Sequence, residues 1–360
     1  MAFIIAVIGM PVMIRVLQRL GAMDSTGGHK IHSAPVPRGG GIMIFIAFAI
    51  AALWPGYRSY EFQGILIGSF ICLVVGAIDD FRGGIGAIWK LSTLLVVTLI
   101  LSRYGVQLKL FAWYPLDIAF TLLWLVGVTS AFNGLDNMDG LASGTGGIVS
   151  CMYLAISVQS FLVAGTETSL SWFGMLAASL IGANLGFLIY NSRPAQVFMG
   201  DAGSFFLGFT LAALGVMGEW SPNRIISCTI PILILSVPIF DFAYVLLARI
   251  LRGETRTLRA VIEHCATDHL SHRLVLLGFS QRKAVFFIYL ISIAVGITGV
   301  LLHNSTSQID SVLGLLQGGA IILIVIGLML AATRHQIGHL QSEIQKINEP
   351  ENPHELTERR

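Results

Sequence analysis

The sequence predicts an all-α, polytopic membrane protein of about eleven transmembrane helices, with the N-terminus outside and the C-terminus cytoplasmic. Three observations carry that expectation. Of 360 residues 55% are hydrophobic and only 12% charged, with a mean hydropathy of +0.78, whereas a soluble domain carries about a quarter charged residues. The apolar residues fall into successive runs near the ~20 residues that a span needs. Lysine and arginine, finally, divide very unevenly between the two sets of connecting loops.

In order, the runs are Ala2–Leu20, Gly41–Leu53, Gly64–Ile78, Ile88–Leu101, Pro115–Phe132, Gly146–Val163, Trp172–Tyr190, Ser204–Val216, Ile225–Ala248, Ala284–Leu302 and Val312–Ala332. The first leads straight into the second without a small-residue cleavage site and reads as a retained helix. Pro231 and Pro238 should bend the ninth and leave Asp241 just inside its end. Loops on the side of the Gly21–Gly40 connection, span ends included, hold eighteen of the 22 lysines and arginines, and the other side holds four, Arg58, Arg103, Lys109 and Arg224. The positive-inside rule makes the first set cytoplasmic. The formal net charge of +2 gives no ground for a nucleic-acid partner; the positive charges read as topology signals and phosphate contacts. Cys72, Cys151, Cys228 and Cys265 stand singly and read as ordinary small residues, with no disulfide or zinc. Residues 1–334 form the membrane domain and 335–360 a polar cytoplasmic tail. Its apolar stripe, Ile337, Leu340, Ile344 and Ile347, suits the membrane surface or a second subunit in a homodimer.

The chemistry lies in five cytoplasmic stretches. A Gly- and Pro-rich loop from Gly27 to Gly41 holds Lys30 and Arg38, which can meet phosphate oxygens where glycine lets the backbone approach. Asp79 and Asp80 end the third run, with Lys90 after them; adjacent carboxylates share a cation or hold a proton more tightly. The run from Asn133 to Gly140 offers Asn133, Asp136 and Asp139 at intervals of three, one face if the backbone is helical, and convergent through glycine if it is a loop. A charge in mid-bilayer costs roughly 3 kcal/mol, so these acids belong at a membrane face or around a cation. The fourth stretch contains Asn191, Phe198 and Asp201 and leads into a span, whose N-terminal amides should face the region of Asp201. Mg²⁺ is usually held by one or two carboxylates plus substrate oxygens and waters, which suits acids spread over several loops. The fifth carries His269, His272 and Arg273, which can bind phosphates; no acid or Cys stands at zinc spacing.

Together the Asp-Asp pair, the Asn-x-x-Asp-x-x-Asp-Gly-Leu run, Phe-Met-Gly-Asp-x-Gly-Ser and His-x-x-His-Arg resemble the polyprenyl-phosphate N-acetylhexosamine-1-phosphate transferases, in motif order over nearly the whole chain. The resemblance implies transfer of a sugar 1-phosphate from a UDP-sugar to undecaprenyl phosphate at the inner face of the bacterial cytoplasmic membrane, with Mg²⁺ or Mn²⁺ and release of UMP. The product would open the assembly of a cell-envelope polysaccharide. The His-Arg loop looks more like the N-acetylglucosamine branch than the MurNAc-pentapeptide branch. It further implies that Asp201 ligates the metal, helped by Asn133, and that Asp79 or Asp80 deprotonates or orients the lipid phosphate. Asp136 and Asp139 would face the uridine and ribose, and Phe198 would stack on uracil with Asn191 close by. His269, His272, Arg273 and Lys90 would address the diphosphate or the sugar. This chain departs from the family pattern at Ser271, where a further His is usual, at Asn137 in place of Gly, and at Ser130 in place of Asn.

Two alternatives belong to other classes. A secondary transporter would place acids in mid-span and show an internal repeat. An intramembrane aspartyl protease is suggested by Met199-Gly200-Asp201, but Phe198 occupies the first Gly position of that signature.

Overall fold

The computed structural model describes residues 1–24, 35–56, 59–111, 113–164, 171–217, 220–221, 224–251, 253, 269–303 and 308–348. Lys30, the start of its loop and the extreme tail lie outside the described residues. The chain is a helical bundle. Helices α1 (Ala2–Arg19), α2 (Gly41–Leu53), α3 (Tyr60–Arg82), α4 (Ala87–Arg103), α5 (Tyr114–Leu135), α6 (Leu141–Ala164), α7 (Ser171–Asn191) and α8 (Gly200–Met217) are followed by α9 (Arg224–Ile234) and α10 (Ser236–Leu251). The short α11 (Leu270–Leu276), then α12 (Gln281–His303) and α13 (Gln308–Asn348), follow among the described residues. Ten of the eleven expected apolar runs each fall on one helix, and the ninth falls on the pair α9 and α10. Among the described residues, eight helices are long and apolar enough to cross a membrane, or nine if α9 and α10 count as one span. Helix α2 has 13 residues, about 20 Å at 1.5 Å per residue against a hydrocarbon core of about 30 Å.

The ends of the helices follow local chemistry. Ser59 Oγ caps α3 by accepting the Phe62 N–H at 3.2 Å, and Gly83 closes it at φ 73°, a left-handed conformation that glycine adopts without a Cβ penalty. Pro115 lies in the first turn of α5, where its missing N–H needs no partner. The ninth run, expected to bend, is sharply broken: α9 and α10 meet at 83°. Pro238 removes a backbone donor, and its ring obstructs the carbonyl four residues back.

Helix α8 sits at the centre. Its residues from Ala202 to Val216 are buried throughout, and it packs most extensively on α3 and α5, with α2 and α6 on other sides. Close approach is built from glycine. A Cβ on Gly76 of α3 would collide with the Asp201 carbonyl, and one on Gly41 of α2 with the backbone of Gly203. The beginning of α8 is thereby drawn against the end of α3 and the beginning of α2. Small strands add a further tie. Residues 23–24 (β1) pair antiparallel with 36–37 (β2), Met23 opposite Pro37 and Asp24 opposite Val36. Phe198 N–H then donates to Pro37 O at 2.8 Å and Gly40 N–H to Phe198 O at 2.9 Å, so the segment carrying Arg38 is stitched to the loop before α8.

Helix α13 runs unbroken through residue 334, so the polar tail begins inside a helix.

Candidate active site

Four acids meet where α3, α5 and α8 end or begin. Asp80, in the last turn of α3, takes the Asp201 N–H on Oδ1 and the Ala202 N–H on Oδ2, each at 2.9 Å. It therefore satisfies the first free amides of α8, which do face the region of Asp201. Gly200 makes this approach available: its φ is +72°, and a Cβ there would lie 2.5 Å from Asp80 Oδ2. Asp136, just past the end of α5, hydrogen-bonds the backbone of Gly200. Asp79 accepts the Ile85 N–H at 2.5 Å.

Two cations bind this cluster together. Arg38 sets Nη2 2.6 Å from Asp201 Oδ1 and Nε 2.8 Å from Asp80 Oδ1. Lys90 Nζ meets Asp201 Oδ2 and lies 3.2 Å from Asp79 Oδ2. Burial works against the charge on Arg38, but Asp80, Asp201 and Asp136 outweigh it and hold the guanidinium charged. Desolvation pushes the Asp136 carboxyl well above the usual carboxylate range, against the pull of Arg38; part of its surface stays open, which tempers the effect.

A divalent cation fits this chemistry. Four carboxylates against two cations leave a formal excess of two negative charges among hard oxygen donors. Lys90 pairs with both Asp79 and Asp201, so the two acids stand close enough to repel one another, a repulsion that a further cation would relieve. Among the described residues no three His, Cys, Asp or Glu side chains form a ready metal cage, in keeping with an ion that takes its remaining ligands from substrate and water. Asn133 stands beside this group, its Nδ2 donating to Ser204 Oγ on α8 at 3.1 Å.

A second cluster adjoins the first. The His269 ring lies against Gly134, where a Cβ would sit 2.9 Å from Cε1. His269 Nδ1 is 2.8 Å from Asp241 Oδ2, and the Leu270 N–H donates to Asp241 Oδ1 at 2.6 Å. Arg273 is buried with its guanidinium carbon 5.0 Å from the Tyr244 ring centroid, and His272 lies half-buried beside it.

A model of the glycosyl transferase family 4 matches residues 62–219. Over 310 residues the chain is 34% identical to the "Probable undecaprenyl-phosphate N-acetylglucosaminyl 1-phosphate transferase" of Bacillus subtilis, covering 82% of this chain and 81% of the relative. The chain belongs to glycosyl transferase family 4. It is also 30% identical over 304 residues to the decaprenyl-phosphate N-acetylglucosaminephosphotransferase of Mycobacterium tuberculosis, covering 76% of this chain and 73% of the relative. It is 31% identical over 248 residues to the phospho-N-acetylmuramoyl-pentapeptide-transferase of Halalkalibacterium halodurans, covering 61% and 73%. The motif resemblance to polyprenyl-phosphate N-acetylhexosamine-1-phosphate transferases is borne out by these relatives, and the chain is a multi-span membrane enzyme of that kind.

In this family 4 chain the motif residues do not all converge. Asn133, Asp136 and Asp139 share no face: α5 stops at Leu135, and a turn closed by Gly140 at φ +79° separates it from α6. Asp136 turns toward Gly200, whereas Asp139 accepts the Ala195 N–H at 3.2 Å. Asp139 lines a separate cavity of about 190 Å³ with Arg193, Gln281, Arg282 and Tyr289. Asn191, expected beside a base, is buried and braces loops. Its Oδ1 accepts from Gly140 N–H and Ser143 Oγ at 3.0 and 3.2 Å, and its Nδ2 donates to Val197 O at 2.9 Å. Phe198 is half-buried and holds Arg38 through the backbone. Two family departures touch: Ser271 Oγ donates to Asn137 Oδ1 at 2.7 Å. Sequence reasoning assigned no role to Asp241. An acid following Pro238 inside an apolar run was the available sign.

Proposed function

We propose that this enzyme transfers N-acetylglucosamine 1-phosphate from a UDP-sugar to undecaprenyl phosphate, releasing UMP, at the cytoplasmic face of the bacterial inner membrane, with Mg²⁺ or Mn²⁺ as cofactor. The observation that carries this reading is the meeting of Asp79, Asp80, Asp136 and Asp201 with Arg38 and Lys90 at the ends of apolar helices. Bringing a phosphate anion to a diphosphate is repulsive, and phosphoryl transfer needs alignment and neutralisation more than covalent help. A site of clustered acids and cations at a membrane face supplies both.

Asp201, with Asn133, holds the metal. When bound, that ion neutralises charge on the diphosphate and fixes its orientation. The two adjacent acids divide their work. Asp80 already accepts from two amides and Arg38 and braces the site, which leaves Asp79, beside Lys90, to orient or deprotonate the lipid phosphate. Arg38 and Lys90 exchange carboxylate partners for phosphate oxygens as substrate enters, and His269, His272 and Arg273 neutralise the diphosphate from the other side. Asp136 and Asp139 lie on the nucleoside side, Asp139 in the cavity beside Arg193 and Arg282.

The test is UMP release by purified protein. Release should need UDP-N-acetylglucosamine, polyprenyl phosphate and a divalent ion together, stop on chelation and return with Mg²⁺ or Mn²⁺. Absence of UMP with all three present, or its release without the lipid phosphate, would overturn the reading. A panel of UDP-N-acetylhexosamines fixes the sugar. Inversion at the transferred phosphorus is the expected result for direct in-line attack, and retention would replace it with a covalent two-step route.

A further inference from the structure

We infer that Asp241 is a positioning residue of the transfer reaction, acting through His269 by orienting its ring and fixing which ring nitrogen carries the proton. The inference rests on the transferase reading above. Asp241 is 2% exposed and lies on α10, beyond the sharp break from α9. Its carboxylate offers two acceptors: Oδ1 takes the Leu270 N–H at 2.6 Å, and Oδ2 lies 2.8 Å from His269 Nδ1, a contact that is a hydrogen bond when Nδ1 carries the ring proton. A buried acid of that kind is costly unless paired, and both its oxygens are matched here. The imidazole, 7% exposed, is packed over Gly134, one residue from Asn133 and two from Asp136. With the proton of the neutral ring held at Nδ1, the nitrogen that remains able to accept or take up a proton is Nε2, and no partner for it is recorded among the described residues. One helical turn along the same face of α10, the Tyr244 ring lies against Arg273. Helix α10 thus holds both ends of the His269–Arg273 segment, while Ser271 ties its middle to Asn137 in the acid run.

Asparagine at 241 would offer one acceptor and one donor where two acceptors are needed. If its oxygen serves Leu270, its amide faces Nδ1 and drives the ring proton to Nε2. Asp241→Asn should therefore lower kcat by about 10–100-fold, the usual effect of losing a partner that orients a functional histidine, with little change in KM and an unchanged melting temperature. Asp241→Glu, which restores two acceptors, should recover part of the rate. The double variant Asp241→Asn/His269→Ala should be no slower than His269→Ala, since the two residues act as a unit. A purely structural Asp241 would instead leave the isosteric Asn variant within about twofold of wild type, or add its effect to that of His269→Ala; either result would overturn the inference. Nitrogen-15 NMR of histidine-labelled wild type, with a folded His269→Gln variant to assign the signal, needs no activity. An Nδ1–H ring is expected, and an Nε2–H ring sinks the inference even where UMP release bears out the transferase itself.

Discussion

At Gly200 a single hydrogen atom decides the geometry of the site. The residue stands at φ +72° with Asp80 against it, so Gly200→Ala would strain the backbone and push its Cβ into the carboxylate that caps α8. We expect a loss of about 1–3 kcal/mol in stability and a fall in kcat, read from thermal unfolding and UMP release of the same preparation. Asp136 supplies a pH-dependent case. Burial raises its folded-state pKa, so the folded protein holds a proton that the unfolded chain gives up. The resulting stability is complete below the unfolded pKa and is lost as pH rises through the folded one. Without substrate or divalent ion, the melting temperature of wild type should therefore drop as pH rises, and Asp136→Asn should flatten that slope. An equally steep slope in the variant would exclude Asp136 as its source. Sequence identified these residues as an acid cluster, but it treated Asp79 and Asp80 alike. Only their partners separate them, two backbone amides of another helix for Asp80 and Lys90 with Ile85 for Asp79.

Among the elements, the crossing of α3 and α8 sets the distance between the acids. Gly76 permits it, because any Cβ there would collide with the Asp201 carbonyl. Gly76→Ala should force the helices apart at a cost of about 1–3 kcal/mol, as overpacking does, and loosen the hold of Asp80 on α8. A larger loss in kcat than in substrate affinity is expected from kinetics on material that still elutes as a single species; wild-type kinetics would show that the crossing has slack. The break at Leu235 is the other decisive element feature. Pro231 and Pro238 made a bend readable in the sequence, since each lacks a backbone donor. The 83° turn that brings Asp241 to His269 was not readable, because neighbouring helices set the size of a bend that proline only permits.

Across the whole molecule, the distribution of charge implies an orientation. With eighteen of the 22 lysines and arginines on one set of connections, a cysteine placed at Arg82 or Ser192 should react with an impermeant thiol reagent only in inside-out vesicles, and one at Arg103 only in intact cells. The reverse pattern would invert the topology and remove the acid cluster from the cytoplasm. The cluster itself brings together positions 38, 79–80, 90, 136 and 201 from five separate stretches of chain. Each stretch was recognisable by its type, as acids, glycines and basic residues beside apolar runs.

What the sequence by itself determined is a helical membrane protein with its ionisable chemistry at helix ends, and the family to which it belongs. Apolar length and charge asymmetry act locally, through the energy of each segment in the bilayer, so they survive in a one-dimensional reading. Which carboxylate caps α8, why Asp136 and Asp139 part company, and how Asp241 reaches His269 were decided only by tertiary structure. Those outcomes depend on glycine-mediated helix crossings and on a broken helix packed against its neighbours, and no residue's own spacing records the direction in which another helix approaches it.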